Sequence, residues 1–351
     1  MENKTSKYEF RDNRHQSACL EHDLPTLESG KTQSRQSVRL FPFYVPAVLL
    51  ALLLTVVLAS CTSGNASNTV KDTVNDYSWG ELADISREIA SAPDDETALE
   101  IAVSYHLASA DGKLDGTQAK EIEFADGTTA RAVIAGFRHD SSTTGERTGI
   151  TFIFDRAIAC KAMNNNAGFD ELDNDDHLNS FGGWNASELR AWLNSEFLDD
   201  LPLDLRNQLA SVVKTSCIIS SYELPLGTDF PNDSIVAECV DRMWLPAIVE
   251  LSGVADDTKR AAMDPDRVDI LRKEGAQYQL FADQGVVEKD GAGNESLIRT
   301  YSVGADAGKT CDWWLRSTER NSFAHVTANG GIDRFEFNSG NPQGIVPCFS
   351  I

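Results

Sequence analysis

The segment from Asn164 to Asn179 concentrates the side chains best suited to hold a metal ion. It reads NNNAGFDELDNDDHLN, so its acids and amides offer many oxygen atoms. Oxygen ligands of this kind suit calcium, and Asp173, Asp175 and Asp176 are therefore the candidate metal ligands. Their spacing does not match a calcium-binding loop, which also needs a glycine at its turn. We therefore expect a solvated loop without a cofactor, with calcium binding as the alternative.

Aromatic, amide and arginine side chains form a second set of candidates, for an organic ligand. Five tryptophans could stack on a glycan, with Trp184 and Trp314 as the preferred candidates beside Trp192, Trp244 and Trp313. The amide of Asn185 could hydrogen-bond to the hydroxyl groups of the glycan. Arg316 could clamp a carboxylate. Each residue also has a structural interpretation, because tryptophan is usually a core residue and Arg316 could form a partly buried ion pair with Glu250. The sequence leaves both interpretations open.

Catalytic residues are not recognisable from their spacing. The histidines beyond residue 61 are His106, His139, His177 and His325. None lies in a His-Glu-x-x-His zinc motif or beside a Gly-x-Ser-x-Gly nucleophile. We therefore expect a binding domain rather than an enzyme. An extracellular enzyme of unknown reaction is the alternative, because catalytic groups can come together in space without any recognisable spacing in the sequence.

An uncharged apolar run from Leu40 to Ala59 determines where these candidates are located. It is long enough to cross ~30 Å of hydrocarbon. Lys31, Arg35 and Arg39 precede it, so the positive-inside rule keeps the N-terminus in the cytoplasm. The chain after this run is therefore expected outside the cell.

The run ends in Leu58-Ala59-Ser60-Cys61, which resembles the lipobox of bacterial lipoproteins. It predicts that Cys61 carries a diacylglycerol anchor on the outer face of the cell membrane. A retained single-pass helix at residues 40–59 is the alternative. For residues 1–39 there are two explanations. They form a disordered cytoplasmic leader, or the start codon is assigned too early. Residues 40–61 form the signal segment, residues 62–76 a polar linker and residues 77–351 one extracellular domain.

The charge of the exported part restricts its partners. The 351-residue chain carries 31 basic and 54 acidic residues. Residues 1–61 hold seven of the basic and six of the acidic residues. The remainder has 24 bases and 48 acids, a net charge of −24. Such a surface repels nucleic acid, which is excluded as a partner. The partners that remain possible are an extracellular glycan or protein ligand, and the membrane, which the protein contacts through its anchor.

The exported cysteines do not form a recognisable framework. Their odd number and wide spacing match neither a disulfide-rich scaffold nor a zinc site. We expect free, buried thiols. A disulfide bond between Cys311 and Cys348 is the alternative. The five residues are Cys160, Cys217, Cys239, Cys311 and Cys348.

Hydrophobic periodicity predicts an α+β domain that begins with helices. Apolar residues recur at helical spacing from Trp79 to Ile89 and from Ala98 to Tyr105. The period then changes to that of a hairpin, with strands at Ile122–Phe124 and Ala130–Phe137 joined by a turn at Asp126-Gly127. A further strand follows at Ile150–Phe154.

The second half mixes short helices and strands. Asn185 and Glu188 resemble a capping box that would open a helix from Leu189 to Phe197. A second short helix is predicted at Leu201–Ala210 and a strand at Val212–Ile219. Further apolar turns and helices are predicted at Met243–Leu251 and Asp266–Phe281, and the last forty residues return to strands. These are predicted at residues 312–317, 323–328, 334–337 and 344–351.

Several segments, taken in order, resemble an uncharacterised bacterial surface family known as a domain of unknown function. They are GGWNASELRAWLN at 182–194, DRMWLPAIVELSG at 241–253, EGAQYQLF at 274–281, WWLRS at 313–317 and GIVPCFSI at 344–351. The similarity extends from Trp79 to Ile351. The C-terminal half is also similar to the C-type-lectin-like fold shared with formylglycine-generating enzymes, which implies α+β architecture.

That resemblance implies a fold and no particular ligand. Formylglycine-generating enzymes use two closely spaced cysteines, whereas Cys311 and Cys348 are 37 residues apart. The calcium-binding triplets of sugar-binding lectins do not occur. In such a domain the loops from Asn164 to Trp184 and from Thr228 to Asp241 would stand above the sheet and hold any ligand.

Overall fold

The chain divides into two units, Met1–Gly64 and Asn65–Ile351, and a computed structural model describes residues of the second. No helix among these residues is long and apolar enough to cross a membrane. The apolar run from Leu40 to Ala59 and Cys61 lie outside them, so the predicted anchor stays a prediction. The described residues are 69–164, 180, 182–218, 236–254, 270–287, 293–302, 304, 306–319, 322–333 and 339–351.

Two amphipathic helices open the domain, as their periodicity predicts. Helix α1 spans Trp79–Ala90, and Ser78 begins it in a capping box with Glu81. Helix α2 spans Asp95–Ser104 and is capped by Asp94. A short 3-10 turn at Val74–Asp76 precedes them, and Val74 is already buried.

The first sheet is antiparallel and packs against α1. Its strand order is β1-β2-β3-β13, and the aromatic rings of Phe152 and Phe349 stack 5.2 Å apart in its core. Trp79 of α1 meets Phe152 edge-on at 5.6 Å. The strands are β1 Ala119–Glu123, β2 Thr129–Phe137, β3 Ile150–Phe154 and β13 Cys348–Ser350.

Four short helices follow where the sequence predicts two. The helix predicted from Leu189 to Phe197 is interrupted after Leu193, and Ser187 caps its first half by accepting a hydrogen bond from the amide of Arg190. Asn185 lies inside the preceding helix, so the prediction that it is the cap was wrong. The helices are α3 Gly183–Ala186, α4 Glu188–Leu193, α5 Glu196–Asp200 and α6 Leu203–Arg206.

An antiparallel ribbon and two further short helices follow the four helices. Residues 270–273 are helical, and Gly275, with a φ of +145°, lies between them and the next helix, as the prediction of turns and helices over Asp266–Phe281 allows. The elements are β5 Val212–Cys217, β6 Val236–Asp241, α7 Ile248–Ser252 and α8 Gln279–Asp283.

The second sheet has the order β11-β10-β9-β12-β4, and a small ribbon of β7 and β8 lies between β4 and β9 in the chain. A 3-10 turn at Glu295–Leu297 leads into that ribbon. The elements are β4 Ala159–Lys161, β7 Arg299–Thr300, β8 Thr310–Cys311, β9 Trp313–Glu319, β10 Ser322–Val326, β11 Ile332–Asp333 and β12 Gln343–Ile345.

The C-terminal segment joins the two sheets. Residues 344–351 were predicted as one strand, but β12 belongs to the second sheet and β13 to the first. Pro347 lies between them and lacks the amide that a continuous ladder would need. The α+β class is therefore confirmed, with a strand arrangement that periodicity did not predict.

None of the five cysteines of the domain, all of which the structure describes, forms a disulfide bond. A disulfide bond between Cys311 and Cys348 was the alternative, but the two residues lie on strands of different sheets. Both are buried. Cys160 departs from the expectation of burial, because it is exposed on β4.

Candidate functional site

Arg316 lies on β9 and forms the ion pair with Glu250 that the sequence suggested. Its guanidinium donates to both carboxylate oxygens of Glu250, the Nη2–Oε1 bond measuring 3.1 Å, and to the carbonyl of Leu245 at 3.1 Å. Both charged side chains are fully buried. The pair is thus more deeply buried than predicted, and the guanidinium is not exposed to clamp a ligand carboxylate.

The ion pair continues into a buried network of alternating charges. The ammonium of Lys214 on β5 lies 2.7 Å from Glu250 Oε1 and also donates to Asp140. Asp140 accepts a 2.7 Å hydrogen bond from Thr151. Burial alone would raise the pKa of Glu250, but Arg316 and Lys214 lower it below its ordinary value. Lys214 lowers the pKa of Asp140 in the same way against the effect of burial.

The same network contains a group of potential metal ligands. One ligand atom each from His139, Asp140 and Glu250 lie within 4.8 Å of one another. The Lys214 ammonium bonds to both carboxylates, and His139 Nε2 lies 2.9 Å from the carbonyl of Ala276. Because a lysine already supplies the positive charge, we interpret this cluster as a structural network. Sequence spacing could not reveal it, since Lys214 and Glu250 are far in sequence from the adjacent pair His139 and Asp140.

The predicted ligand residues do not form a shared open surface. The rings of Trp184 and Trp314 are fully buried, and their indole nitrogens donate to Asp241 at 2.8 Å and to the carbonyl of Lys161 at 3.1 Å. A glycan cannot stack on rings in these positions, so their core interpretation fits the structure. Asn185 is partly buried and donates to the carbonyl of Glu238 at 3.3 Å.

The predicted calcium ligands lie in a part of the chain that the structure does not describe. Asp173, Asp175 and Asp176 fall in the gap between residues 164 and 180. Residues 228–235 of the second predicted ligand loop are likewise outside the described ranges. Calcium binding stays a prediction.

An open groove lies at the two ends of the first predicted ligand loop. It has a volume of about 550 Å³. The amide of Glu188 donates to Asn164 Oδ1 at 3.0 Å, which connects the start of α4 to the segment that follows β4. The groove is lined by Lys161, Ala162, Glu188, Leu189, Ala191, Trp192, Ser195 and Glu196.

Trp192 is the aromatic residue of this groove and is only partly buried. It packs against Phe197 with ring centroids 5.1 Å apart, and the Lys161 ammonium lies 4.7 Å from its ring centroid. Sequence reasoning placed Trp192 among five tryptophans that could stack on a glycan, but it preferred Trp184 and Trp314 as ligand residues. The signal was present, because Leu189 and Leu193 define the buried face of α4 and Trp192 falls at the edge of that face.

Comparison with known families assigns the C-terminal part of the chain. Residues 148–351, more than half of the sequence, match the family described as Domain of unknown function (DUF6273). The chain belongs to the DUF6273 family. Neither the curated proteins nor the solved structures give a match.

The DUF6273 region contains the groove and most of the buried network. Lys214, Glu250 and Arg316 lie within it, whereas Asp140 precedes it. Helices α1 and α2 and strands β1 and β2 also precede the matched residues, yet β2 pairs directly with β3. The DUF6273 description carries no activity, so function has to be argued from the groove itself.

Proposed function

We propose that the protein is a recognition module of the cell envelope that binds an extracellular carbohydrate. The observation that carries this proposal is the groove with Trp192 on its wall. Anchoring through Cys61 on the outer face of the membrane is part of the proposal, as is a C-type-lectin-like architecture for the DUF6273 region. The retained helix at residues 40–59 is the alternative anchor.

The dimensions of the groove suit a small ligand. Its volume of about 550 Å³ falls within the range of roughly 300–1,000 Å³ that is usual for ligand pockets. Such pockets combine apolar or aromatic surface with a few polar groups that orient the ligand. Trp192 supplies the aromatic surface, and Lys161, Glu188, Ser195 and Glu196 supply the polar groups.

The chemistry of the groove matches that of a sugar ring. A pyranose has an apolar C–H face that packs on an indole, and hydroxyl groups that hydrogen-bond to carboxylates and to an ammonium. Carboxylates accept and an ammonium donates, so both hydrogen-bonding roles of a hydroxyl are met. The net charge of −24 beyond residue 61 favours a neutral or cationic sugar over an anionic polymer.

An enzymatic role has less support from the same groove. Its described lining includes no histidine or cysteine. The hydroxyl of Ser195 donates to the carbonyl of Ala191 at 2.6 Å rather than to a base. An extracellular enzyme therefore stays the alternative.

The proposal is tested with the purified full-length protein on an array of neutral and amino-sugar oligosaccharides, followed by titration calorimetry with the best binder. Trp192→Ala should weaken binding by about tenfold or more, because it removes the stacking surface. The matched control is Leu203→Ala, which removes an apolar side chain that is 61% exposed outside the groove. The control should bind like the wild type.

Two outcomes would contradict the proposal. One is an array without any binder, which would direct attention to a protein partner. The other is a binder whose affinity is the same for wild type and Trp192→Ala. The melting temperatures of both variants show whether a loss of binding is caused by destabilisation of the domain, since Trp192→Ala also removes the Trp192–Phe197 contact.

A further inference from the structure

We propose that the guanidinium of Arg299 binds a small oxyanion, namely the carboxylate or phosphate group of a ligand. This is a second site, because neither Arg299 nor the residues that contact its guanidinium line the Trp192 groove. The inference therefore does not depend on the carbohydrate-binding function proposed above.

The contacts of Arg299 hold its guanidinium in one orientation. Arg299 begins β7, two residues after the 3-10 turn at Glu295–Leu297 ends. Its Nη1 donates to the carbonyl of Ser296 at 2.8 Å and to that of Ile298 at 3.0 Å. The guanidinium carbon lies 5.6 Å from the centroid of the Trp313 ring, within the ~6 Å at which a cation is attracted by the face of an indole. A rigid, planar donor group is thus positioned by the protein itself.

One edge of this guanidinium has no acceptor in the described part of the chain. Nε is buried and makes no hydrogen bond, and none of the described residues accepts from Nη2. The N–H groups of Nε and Nη2 lie side by side on the edge opposite Nη1. Two parallel N–H groups of this kind match the two oxygens of a carboxylate or a phosphate. The edge that Arg299 leaves unused is therefore one that binds oxyanions at two points.

The positive charge of Arg299 also lacks a carboxylate in direct contact. Among the residues that the structure describes, no acid forms an ion pair with it, and Asp155 acts on it only at longer range. The carboxylate of Asp155 is already engaged, since its Oδ2 lies 2.9 Å from Arg131 Nε. Two arginines thus share one carboxylate, and one positive charge is left over.

Burial makes this unpaired charge costly. Arg299 is only 8% exposed, and loss of contact with water lowers the pKa of its guanidinium to about 10. Arg316 shows how the same fold compensates such a cost, because its buried guanidinium is paired with Glu250. An oxyanion bound to Arg299 would provide the corresponding negative charge. Binding should therefore stabilise the folded domain.

The charge of the whole domain restricts this ligand to a small anion. The net charge of −24 beyond residue 61 repels a polyanion that extends across the surface. At physiological ionic strength, charges farther apart than about 8 Å are largely screened. A single oxyanion in contact with Arg299 is consequently attracted by the local positive charge.

The experiment measures the melting temperature of the full-length protein at neutral pH and constant ionic strength, while sodium chloride is replaced by sodium acetate or by sodium phosphate. At least one of the two anions should raise the melting temperature by about 2 °C or more at about 10 mM. A rise with acetate alone assigns a carboxylate ligand, and a rise with phosphate alone assigns a phosphate group. Titration calorimetry with the effective anion should show heat of binding.

Two substitutions of Arg299 connect this effect to the guanidinium. Arg299→Met should abolish the rise, and in chloride it should unfold at the wild-type temperature or above, because it removes an unpaired buried charge. Arg299→Lys keeps the charge but not the two-point edge, so the oxyanion should bind it severalfold more weakly. The matched control is Arg87→Gln, since Arg87 is an exposed arginine on α1, and it should respond like the wild type. General stabilisation by phosphate would affect all these proteins equally.

The proposal is overturned if neither anion raises the melting temperature of the wild type or releases or absorbs heat on titration. An equal rise in the wild type and in Arg299→Met would also overturn it. If Arg299→Met does not fold, the comparison of Arg299→Lys with the wild type decides in the same way.

The competing explanation is a water molecule that links Arg299 Nε to Asp155 Oδ1, which is likewise buried without a partner. Arg299→Met would then unfold at a lower temperature than the wild type, and neither anion would stabilise the wild type. Because Arg299 does not line the Trp192 groove, this result would leave the proposed carbohydrate binding unaffected.

Discussion

The guanidinium of Arg316 and the carboxylate of Glu250 form a two-point ion pair in which neither side chain is exposed to solvent. Lys214 bonds to the same carboxylate from β5. A carboxylate between two cations is the centre of the buried network, so its removal should be costly for stability.

Glu250→Gln should lower the free energy of unfolding by about 3–5 kcal/mol, because it leaves two buried cations without their shared partner. Chemical denaturation measures the change. The matched control is Asp306→Asn, which breaks the exposed pair between Asp306 and Lys309. The control should show no measurable loss, and equal losses in both variants would contradict a special role of the buried pair.

The contribution of Asp140 and Glu250 to stability should be constant near neutral pH and decrease in acid. The folded state lowers the pKa of Asp140 and Glu250, whereas in the unfolded chain these groups titrate near about 3.9 and 4.3. Their stabilising contribution is therefore present above about pH 5 and is lost as the pH falls through the folded-state pKa values.

Melting temperatures between pH 7 and pH 3 measure this effect. Asp140→Asn should flatten the acid limb of the curve, because one of the two groups no longer takes up a proton on unfolding. Parallel curves for the variant and the wild type would show that the acid sensitivity arises elsewhere.

Gly149→Ala should be destabilising by about 1–3 kcal/mol. A Cβ atom at this position would lie 1.9 Å from the main-chain oxygen of Ser86, so α1 and β3 would have to move apart. Gly80→Ala is the control, since its Cβ would meet only Ser78 Oγ at 4.0 Å in an exposed turn of α1. There alanine should be neutral or stabilising. Similar melting temperatures for the two variants would argue against the close approach of α1 to β3.

Ser187→Ala should cost about 1 kcal/mol, because Ser187 caps α4 by accepting from Arg190 at 3.2 Å. Its hydroxyl also donates to the carbonyl of Trp184 at 3.0 Å. Asn185→Ala should cost less, since its amide makes one long bond at 3.3 Å to Glu238. Thermal unfolding of the two variants compares them directly, and the reverse order would restore Asn185 as the cap.

Cys61 should carry a lipid if the lipobox is functional. Cells that express the full-length protein and grow on an alkyne fatty acid should label it, and Cys61→Ala should abolish the label. Cys19→Ala serves as the control, because Cys19 lies in the leader and should not affect labelling. Label that persists in Cys61→Ala would favour the retained helix at residues 40–59.

The helices and strands of the N-terminal half could be predicted because the patterns that specify them lie within a few neighbouring residues of the sequence. The spacing of Leu82, Ile85 and Ile89 predicts one buried helical face, and these three side chains are fully buried in α1. Alternation, together with the turn at Asp126-Gly127, predicts the hairpin of β1 and β2, which the structure confirms. The predicted strand Ile150–Phe154 coincides with β3.

Only the tertiary structure decided which chemistry-bearing residues are buried and which are accessible. Trp184, Trp192 and Trp314 are alike in sequence terms, yet only Trp192 reaches an open groove, since the other two are enclosed by strands and helices distant in sequence. Arg316 pairs with Glu250, 66 residues away, and this ion pair fixes its guanidinium in the core. Local periodicity determines which face of an element is apolar, but the packing of distant elements determines what that face covers.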